Sequence, residues 1–157
     1  MSFSRLLLGT VQFGLNYGIA NTRGKPSFDT VKAVLKVAFD NGITSLDTAA
    51  AYGDSEEVLG KALGELGIAD RMTIVSKVPP IPAEGDALAF ITESVTNSLK
   101  RLKLSVLPLV LFHNEKDWQY HEELASLIDK GMIYAAGVSL DSLECAATAD
   151  EIGRAHV

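Results

Sequence analysis

Cysteine is nearly missing from this sequence: Cys145 is alone among 157 residues. One thiol forms no internal disulfide and builds no zinc site by itself, so a disulfide-stapled secreted scaffold is excluded and a reducing, cytoplasmic setting is expected. Cys145 reads as a small apolar helix residue. There is also no run of Lys and Arg, and 14 basic residues against 20 acidic ones leave a formal charge of −6. Nucleic acid or an anionic membrane needs a basic face, so neither is expected as a partner. Long apolar stretches are absent too. The run at Leu6 to Leu8 is interrupted by Gly9, Gln12 and Asn16 before it reaches the length of a signal segment or a membrane span. No GxGxxG follows it, which removes the support for a Rossmann dinucleotide site. Gly18 to Gly24-Lys25 imitates a phosphate loop, but five residues intervene instead of four and Pro26 stands where Ser or Thr must bind magnesium. His121-Glu122-Glu123 lacks the second histidine of a zinc-binding helix and reads as a solvated face, and His156 lies at the end of the sequence. Nothing points to a metal.

What is present is a recurring pattern. Apolar residues make up 47% of the chain, enough for one domain with a sizeable core. Short apolar runs each stop at a polar residue: Leu6 to Leu8 before Gly9-Thr10, Ile43 to Leu46 before Asp47, Thr73 to Ser76 before Lys77, Leu109 to Phe112 before His113, and Ala135 to Val138 before Ser139. Continuous rather than alternating apolar character predicts strands buried on both faces of a parallel sheet.

Helical stripes fill the intervals. Val31, Val34, Leu35 and Ala38 form one, starting near Ser27 or Asp29 and closed by Gly42. Val58, Leu59, Ala62, Leu63 and Leu66 form the second, with Asp54 or Ser55 as N-cap and Glu56 and Glu57 facing the positive end of the helix dipole. Ile91, Val95, Leu99 and Leu102 form the third, and Leu124, Leu127 and Ile128, ended by Gly131, the fourth. A last helix is expected to start near Ser142. The segment Val78 to Pro82 is too rich in proline for helix or central strand and reads as a loop over the strand ends.

The order is β-α repeated, with strand ends at 10, 47, 77, 113 and 139. A closed eight-unit barrel takes about 250 residues, roughly 31 per unit, so this length supplies about five units of one partial (β/α)8 barrel spanning the whole chain, residues 1–157. An open doubly wound sheet of flavodoxin type also holds five strands, and periodicity does not separate the two.

Ionisable residues stand where the apolar runs stop. Neighbouring strands lie about 4.8 Å apart, so Asp47, Lys77 and His113 at successive strand ends share one small patch, with Tyr52 in the loop just after Asp47. Each has a plainer reading when taken alone: Asp47 as a turn cap, Tyr52 as a rim residue, His113 as a core histidine. Lys77 resists such a reading, because a lysine that ends a buried strand needs an anion nearby or loses its proton. Together the four suit carbonyl chemistry. A phenol with an ordinary pKa of about 10 exchanges its proton poorly near neutrality, and a neighbouring ammonium favours the phenolate. Lys77 brings that charge, Asp47 holds Lys77, and a neutral His113 orients the substrate oxygen. Side chains donate no hydride, so a nicotinamide cofactor is required.

These residues sit in segments that resemble the aldo-keto reductases. They are Leu8 to Gly14 (LGTVQFG), Gly42 to Gly53 (GITSLDTAAAYG), Ser55 to Gly60, Ile74 to Lys77, the helix from Ser94 to Leu104, Leu111 to His113, and Gly137 to Ser139. The opening LGTVQFGLNYGIAN looks like a bacterial subgroup of poorly defined substrate. The resemblance implies an NADPH-dependent reductase of an aldehyde or ketone in which Tyr52 donates the proton, Lys77 and Asp47 tune it and His113 orients the carbonyl. It also implies that Thr10, Asp47 and Ser139 lie beside the cofactor, Ser139 at the nicotinamide carboxamide. One departure is local: Leu140 follows Ser139 where the family usually has asparagine. The larger departure is length, since family members run to about eight units and the later strands bring the nicotinamide-stacking residue and the basic loop for the adenosine phosphate.

A five-strand partial barrel leaves two strand edges and an apolar interior uncovered, so self-association or pairing with a complementary barrel half is expected. The competing reading is a non-catalytic half-barrel that persists as an oligomer and lacks the cofactor phosphate site. A barrel isomerase or lyase using the Lys-Tyr pair is a third, which leaves Asp47 and His113 without clear roles.

Overall fold

A computed structural model of the chain describes residues 2–140. The expected helix near Ser142, together with Cys145 and His156, lies outside them. Five strands form one sheet: β1 (Leu7–Gly9), β2 (Ser45–Asp47), β3 (Thr73–Val78), β4 (Leu109–Phe112) and β5 (Ala136–Val138). Their order in space is the order in sequence, and every pairing is parallel. A flavodoxin-type sheet would place β1 between later strands. The sequential order rejects that alternative and makes this a partial (β/α) barrel.

The helices between strands are α1 (Val11–Gly14), α2 (Phe28–Asp40), α3 (Ser55–Leu66), α4 (Ala87–Leu102) and α5 (His121–Asp129). Local chemistry sets their ends. Ser27 caps α2 by accepting from the Thr30 amide, and Asp86 caps α4 by accepting from the Ala89 amide. Lys100 and Arg101 occupy the last turn of α4, where cations complement the dipole. Asp54 precedes α3 as expected but makes no capping bond, because its carboxylate is taken by Lys25 at 2.5 Å. Lys32 of α2 bonds Glu65 of α3 at 2.9 Å. That hydrogen bond holds the lysine above and the carboxyl below their ordinary pKa values. Among the described residues no helix is long and apolar enough to cross a membrane.

Strand alternation gives the sheet two different faces. The outer face presents Leu46, Ile74, Val110 and Phe112, which pack with Val31, Leu35, Leu59, Leu63, Ile91, Val95, Leu102, Leu124 and Leu127 of the helices into one core. Val34, assigned to the apolar stripe by spacing, points outward instead and is more than a third exposed. The inner face carries Leu7, Val75, Leu109 and Leu111. Burial on both faces holds in the middle, where Val75 is covered, and fails at β1, where Leu7 is 46% exposed. The neighbours that cover a β1 side chain inside a closed barrel are strands beyond the fifth.

One helix contact depends on glycine. A Cβ at Gly60 of α3 would lie 2.3 Å from the Arg101 carbonyl oxygen of α4, whereas one at Gly64, a turn later, meets nothing within 4 Å. Gly60→Ala is therefore expected to lower the unfolding free energy by about 1–3 kcal/mol through forced separation of the two helices. Gly64→Ala should raise it by about 0.5–1 kcal/mol, because alanine loses less chain entropy in a helix. Thermal unfolding reads the pair as opposite shifts in midpoint, and shifts of the same sign would contradict the packing.

Candidate active site

Register decides which strand-end side chains meet. Gly9 pairs with Asp47, Asp47 with Val75, Lys77 with Leu111, and Leu111 with Gly137. With alternation, Asp47, Lys77, His113 and Ser139 all fall on the inner face, at the C-terminal ends of four adjacent strands. Backbone bonds continue the ladder past the strands, from the His113 amide to the Val78 carbonyl and from the Ser139 amide to the Phe112 carbonyl.

Lys77 is the centre of the group. Its side chain is only 6% exposed. The ammonium donates to Asp47 Oδ1 at 2.7 Å, to the Thr48 carbonyl at 3.0 Å and to the Tyr52 hydroxyl oxygen at 3.4 Å. An ammonium has three N–H donors, so all three are directed at oxygen atoms. The anion that the sequence demanded beside Lys77 is Asp47. Because the Tyr52 oxygen accepts from Lys77, its own O–H remains to be donated to something else. The His113 ring stands edge-on to the Tyr52 ring with centroids 5.6 Å apart, so an oxygen atom placed between phenol and imidazole could be met by both. The expected four residues thus come together.

Thr10 behaves differently. It follows Gly9, so alternation turns it to the outer face, where it is fully buried. Its hydroxyl donates to the Asp47 carbonyl at 2.8 Å and its amide to the same oxygen at 2.9 Å. Ser55 of α3 donates to the Thr10 carbonyl at 2.9 Å and accepts from the Thr48 hydroxyl at 3.1 Å. This chain of buried hydroxyls fixes the end of β2 from behind. Ser55 and Thr48 do not stand out in the sequence in this role, because a hydroxyl that supports a strand end has no signature without the register.

Glu56 is the other residue that the sequence understated. Its place in the first turn of α3 suits the dipole, but the carboxylate is buried between α3, β3 and α4. It accepts from the Ser76 hydroxyl, from Ser98 at 3.1 Å and from Arg101 Nε at 2.7 Å. Ser76 alternates with Lys77, so this network grips β3 from the outer face directly behind the ammonium. On the far side of the site, the turn Glu115–Tyr120 brings the buried Asp117 carboxylate to the Ile81 amide at 3.2 Å, which ties down the proline-rich loop. Trp118 and Tyr120 pack against the core beneath it, and Trp118 stacks on His121 at 5.3 Å between centroids, so the expected solvated face is half-buried at its first residue.

A sequential parallel sheet of βα units, with Asp47, Tyr52, Lys77 and His113 grouped at the C-terminal ends of its strands, defines the (β/α)-barrel class of architecture. Within that class the chain belongs to the aldo/keto reductase family, whose sequence model matches residues 5–155. It is 38% identical over 153 residues to aldo-keto reductase YhdN of Bacillus subtilis, an overlap of 90% of this chain and 44% of that protein. Among solved structures, an aldo-keto reductase of Pseudomonas aeruginosa is 36% identical with a TM-score of 0.79, across 96% of this chain and 61% of that one. An aldo/keto reductase of Klebsiella pneumoniae, solved with NADP and acetate, is 32% identical with a TM-score of 0.68, across 88% of this chain and 46% of that one. The chain therefore spans less than half the length of the curated relative and about three fifths of the Pseudomonas structure.

The buried ion pair makes an asymmetric prediction. In Asp47→Ala the Lys77 ammonium keeps its burial and loses its anion, at an expected cost of about 3 kcal/mol in unfolding free energy. In Lys77→Met the Asp47 carboxylate, 26% exposed, can hydrate. The expected cost of that change is about 1 kcal/mol or less. Urea unfolding of the two variants measures the difference, and equal losses would contradict the burial of Lys77.

Proposed function

We propose that this chain carries the proton-transfer site of an NADPH-dependent carbonyl reductase. The observation that supports it most is the ammonium with three acceptors: Lys77 between Asp47 and Tyr52, leaving the phenol proton to be given away. Tyr52 donates that proton to the oxygen of an aldehyde or ketone while His113 orients the same oxygen. Lys77 then stands beside the phenolate and stabilises its charge, and Asp47 keeps the ammonium in place. The donor set fits a reducible carbonyl because it supplies a proton and no hydride. When bound, a reduced nicotinamide supplies the hydride to the carbonyl carbon, which balances the reaction to an alcohol. Ser139, on the inner face beside His113, is the residue proposed for the carboxamide side of that cofactor. Thr10 contributes by holding the Asp47 strand end from behind. A single cysteine and an excess of acidic residues suit a cytoplasmic setting for this chemistry.

A second reading has its own observation. Leu6 and Leu7 at the β1 edge are 63% and 46% exposed. An apolar edge of this kind needs covering, and the covering that suits a five-strand arc is a complementary set of three further βα units, since eight close a barrel. In this reading the chain alone is a non-catalytic half that self-associates until it is completed.

Titration of the chain with NADPH, followed by cofactor fluorescence, separates the two. The first reading expects saturable binding, aldehyde-dependent oxidation of NADPH, and a fall of about 100-fold or more in turnover for Tyr52→Phe with cofactor binding retained. No binding at millimolar NADPH, together with light scattering that shows oligomers, would favour the second.

A further inference from the structure

The loop that carries Tyr52 has a second anchor, which no role assigned so far explains. Its partner is the single turn that follows the neighbouring strand β1: α1, at Gly14. An ideal Cβ built on Gly14 would lie 1.8 Å from the Tyr52 carbonyl oxygen, 2.5 Å from the Ser55 amide nitrogen and 2.9 Å from Ser55 Cβ. All are backbone or first side-chain atoms that have no freedom to swing aside. Gly53 is the reciprocal half of the contact. It takes the left-handed backbone conformation at φ +58°, and a Cβ there would lie 2.5 Å from the Gly14 carbonyl oxygen. The two backbones therefore lie against each other, with the Leu15 side chain alongside, its Cδ2 2.9 Å from the position of a Gly53 Cβ.

The loop's ends have long-range ties: the Ala50 amide donates to the Lys77 carbonyl at 3.2 Å, the Ser55 hydroxyl donates to the Thr10 carbonyl at 2.9 Å, and Asp54 pairs with Lys25. The ties nearer Tyr52 are local. The Tyr52 amide donates to the Ala49 carbonyl at 3.0 Å, and the Ser55 amide to the Tyr52 carbonyl at 3.1 Å. These two bonds shape the turn, and the longer ties hold its ends at Ala50, Asp54 and Ser55. Its middle, at Tyr52 and Gly53, rests on α1, which is itself seated by Phe13 in the core and by the Phe13 amide bonded to the Thr10 carbonyl at 2.8 Å. Thr10 in turn holds the end of β2. We propose that Gly14 and Gly53 are positioning residues: their backbone-to-backbone contact sets the height of the Tyr52 loop and so places the phenol against Lys77 and His113. This rests on the reading of Tyr52 as the proton donor. The consequence is specific to the loop: a side chain at either position pushes Tyr52 away from Lys77 and His113.

The test is made on the ligand-free chain by NMR, reading the nuclear Overhauser contacts between the Tyr52 and His113 rings, which face each other edge-on in the native arrangement. Gly14→Ala and Gly53→Asn are the variants. Asparagine tolerates the left-handed conformation, so Gly53→Asn isolates crowding from backbone preference. Two controls accompany them. Gly67→Asn changes a glycine at φ +65° with nothing within 4 Å, and Gly60→Ala crowds α3 against α4 away from the loop. Loss of the Tyr52–His113 contact is expected in both variants, and its retention in both controls. Retention in Gly14→Ala, or equal loss in Gly60→Ala, would overturn the proposal. Outright unfolding of both variants with Gly67→Asn folded would overturn it too, because the contact would then support the fold and not the loop. The readout needs neither cofactor nor turnover, so a chain that fails to reduce carbonyls leaves this result standing, and the reverse also holds.

Discussion

A buried ammonium imposes the strictest condition on this molecule. Lys77 stands one residue from the end of the central strand with its charge almost out of water, and such a group is tolerated only when its hydrogen-bond donors and its charge are both answered. Asp47 supplies the anion, the Thr48 carbonyl a second acceptor and the Tyr52 hydroxyl the third. Meeting that condition is what arranges the site. The carboxylate must come from the adjacent strand, the carbonyl from the residue after it, and the phenol from the turn that follows, so one stretch of chain from Asp47 to Tyr52 wraps the lysine.

The wrapping has to be held from behind, and the outer face of the sheet does this with hydroxyls and a second charge cluster. Thr10, Thr48 and Ser55 link β1, β2 and α3 beneath Asp47. Glu56, with Ser76, Ser98 and Arg101, links α3, β3 and α4 beneath Lys77. A single α3 turn thus serves both networks through adjacent residues. The division follows from strand alternation: residues one apart in sequence face opposite sides, the inner one toward the barrel interior and the outer one fixing the backbone that carries it.

Much of this was legible in the sequence. Five apolar runs that each end in a polar residue marked the strands and the parallel class, and the demand of Lys77 for an anion pointed to Asp47 at the end of the preceding run. The placement of His113 beside Tyr52 followed from successive strand ends. What was not legible depended on register. Thr10 reads as one more strand-end residue, and only the pairing of Gly9 with Asp47 shows that it faces the helices. Glu56 reads as a helix N-terminal acid, which it is, but its burial depends on two elements that meet it from 20 and 45 residues away. Spacing placed Val34 in the core stripe, although α2 buries only Val31, Leu35 and Ala38 of that set. The strands were expected to be covered on both sides, and β1 is not, because covering its inner face takes barrel strands beyond the fifth.

The simultaneous contact of the Lys77 ammonium with Asp47 and Tyr52 can be examined directly on the ammonium itself. Protons on a buried, fully bonded ammonium exchange slowly with water, so a nitrogen-15 spectrum of the chain should show a resolved Lys77 Nζ signal with nuclear Overhauser contacts to the Tyr52 ring and to the Asp47 side chain. In Asp47→Ala that signal should broaden away, and displacement of Tyr52 should remove its aromatic contact. A Lys77 signal that behaves like those of the surface lysines, with no contact to Tyr52, would contradict the three-acceptor arrangement on which the site is built.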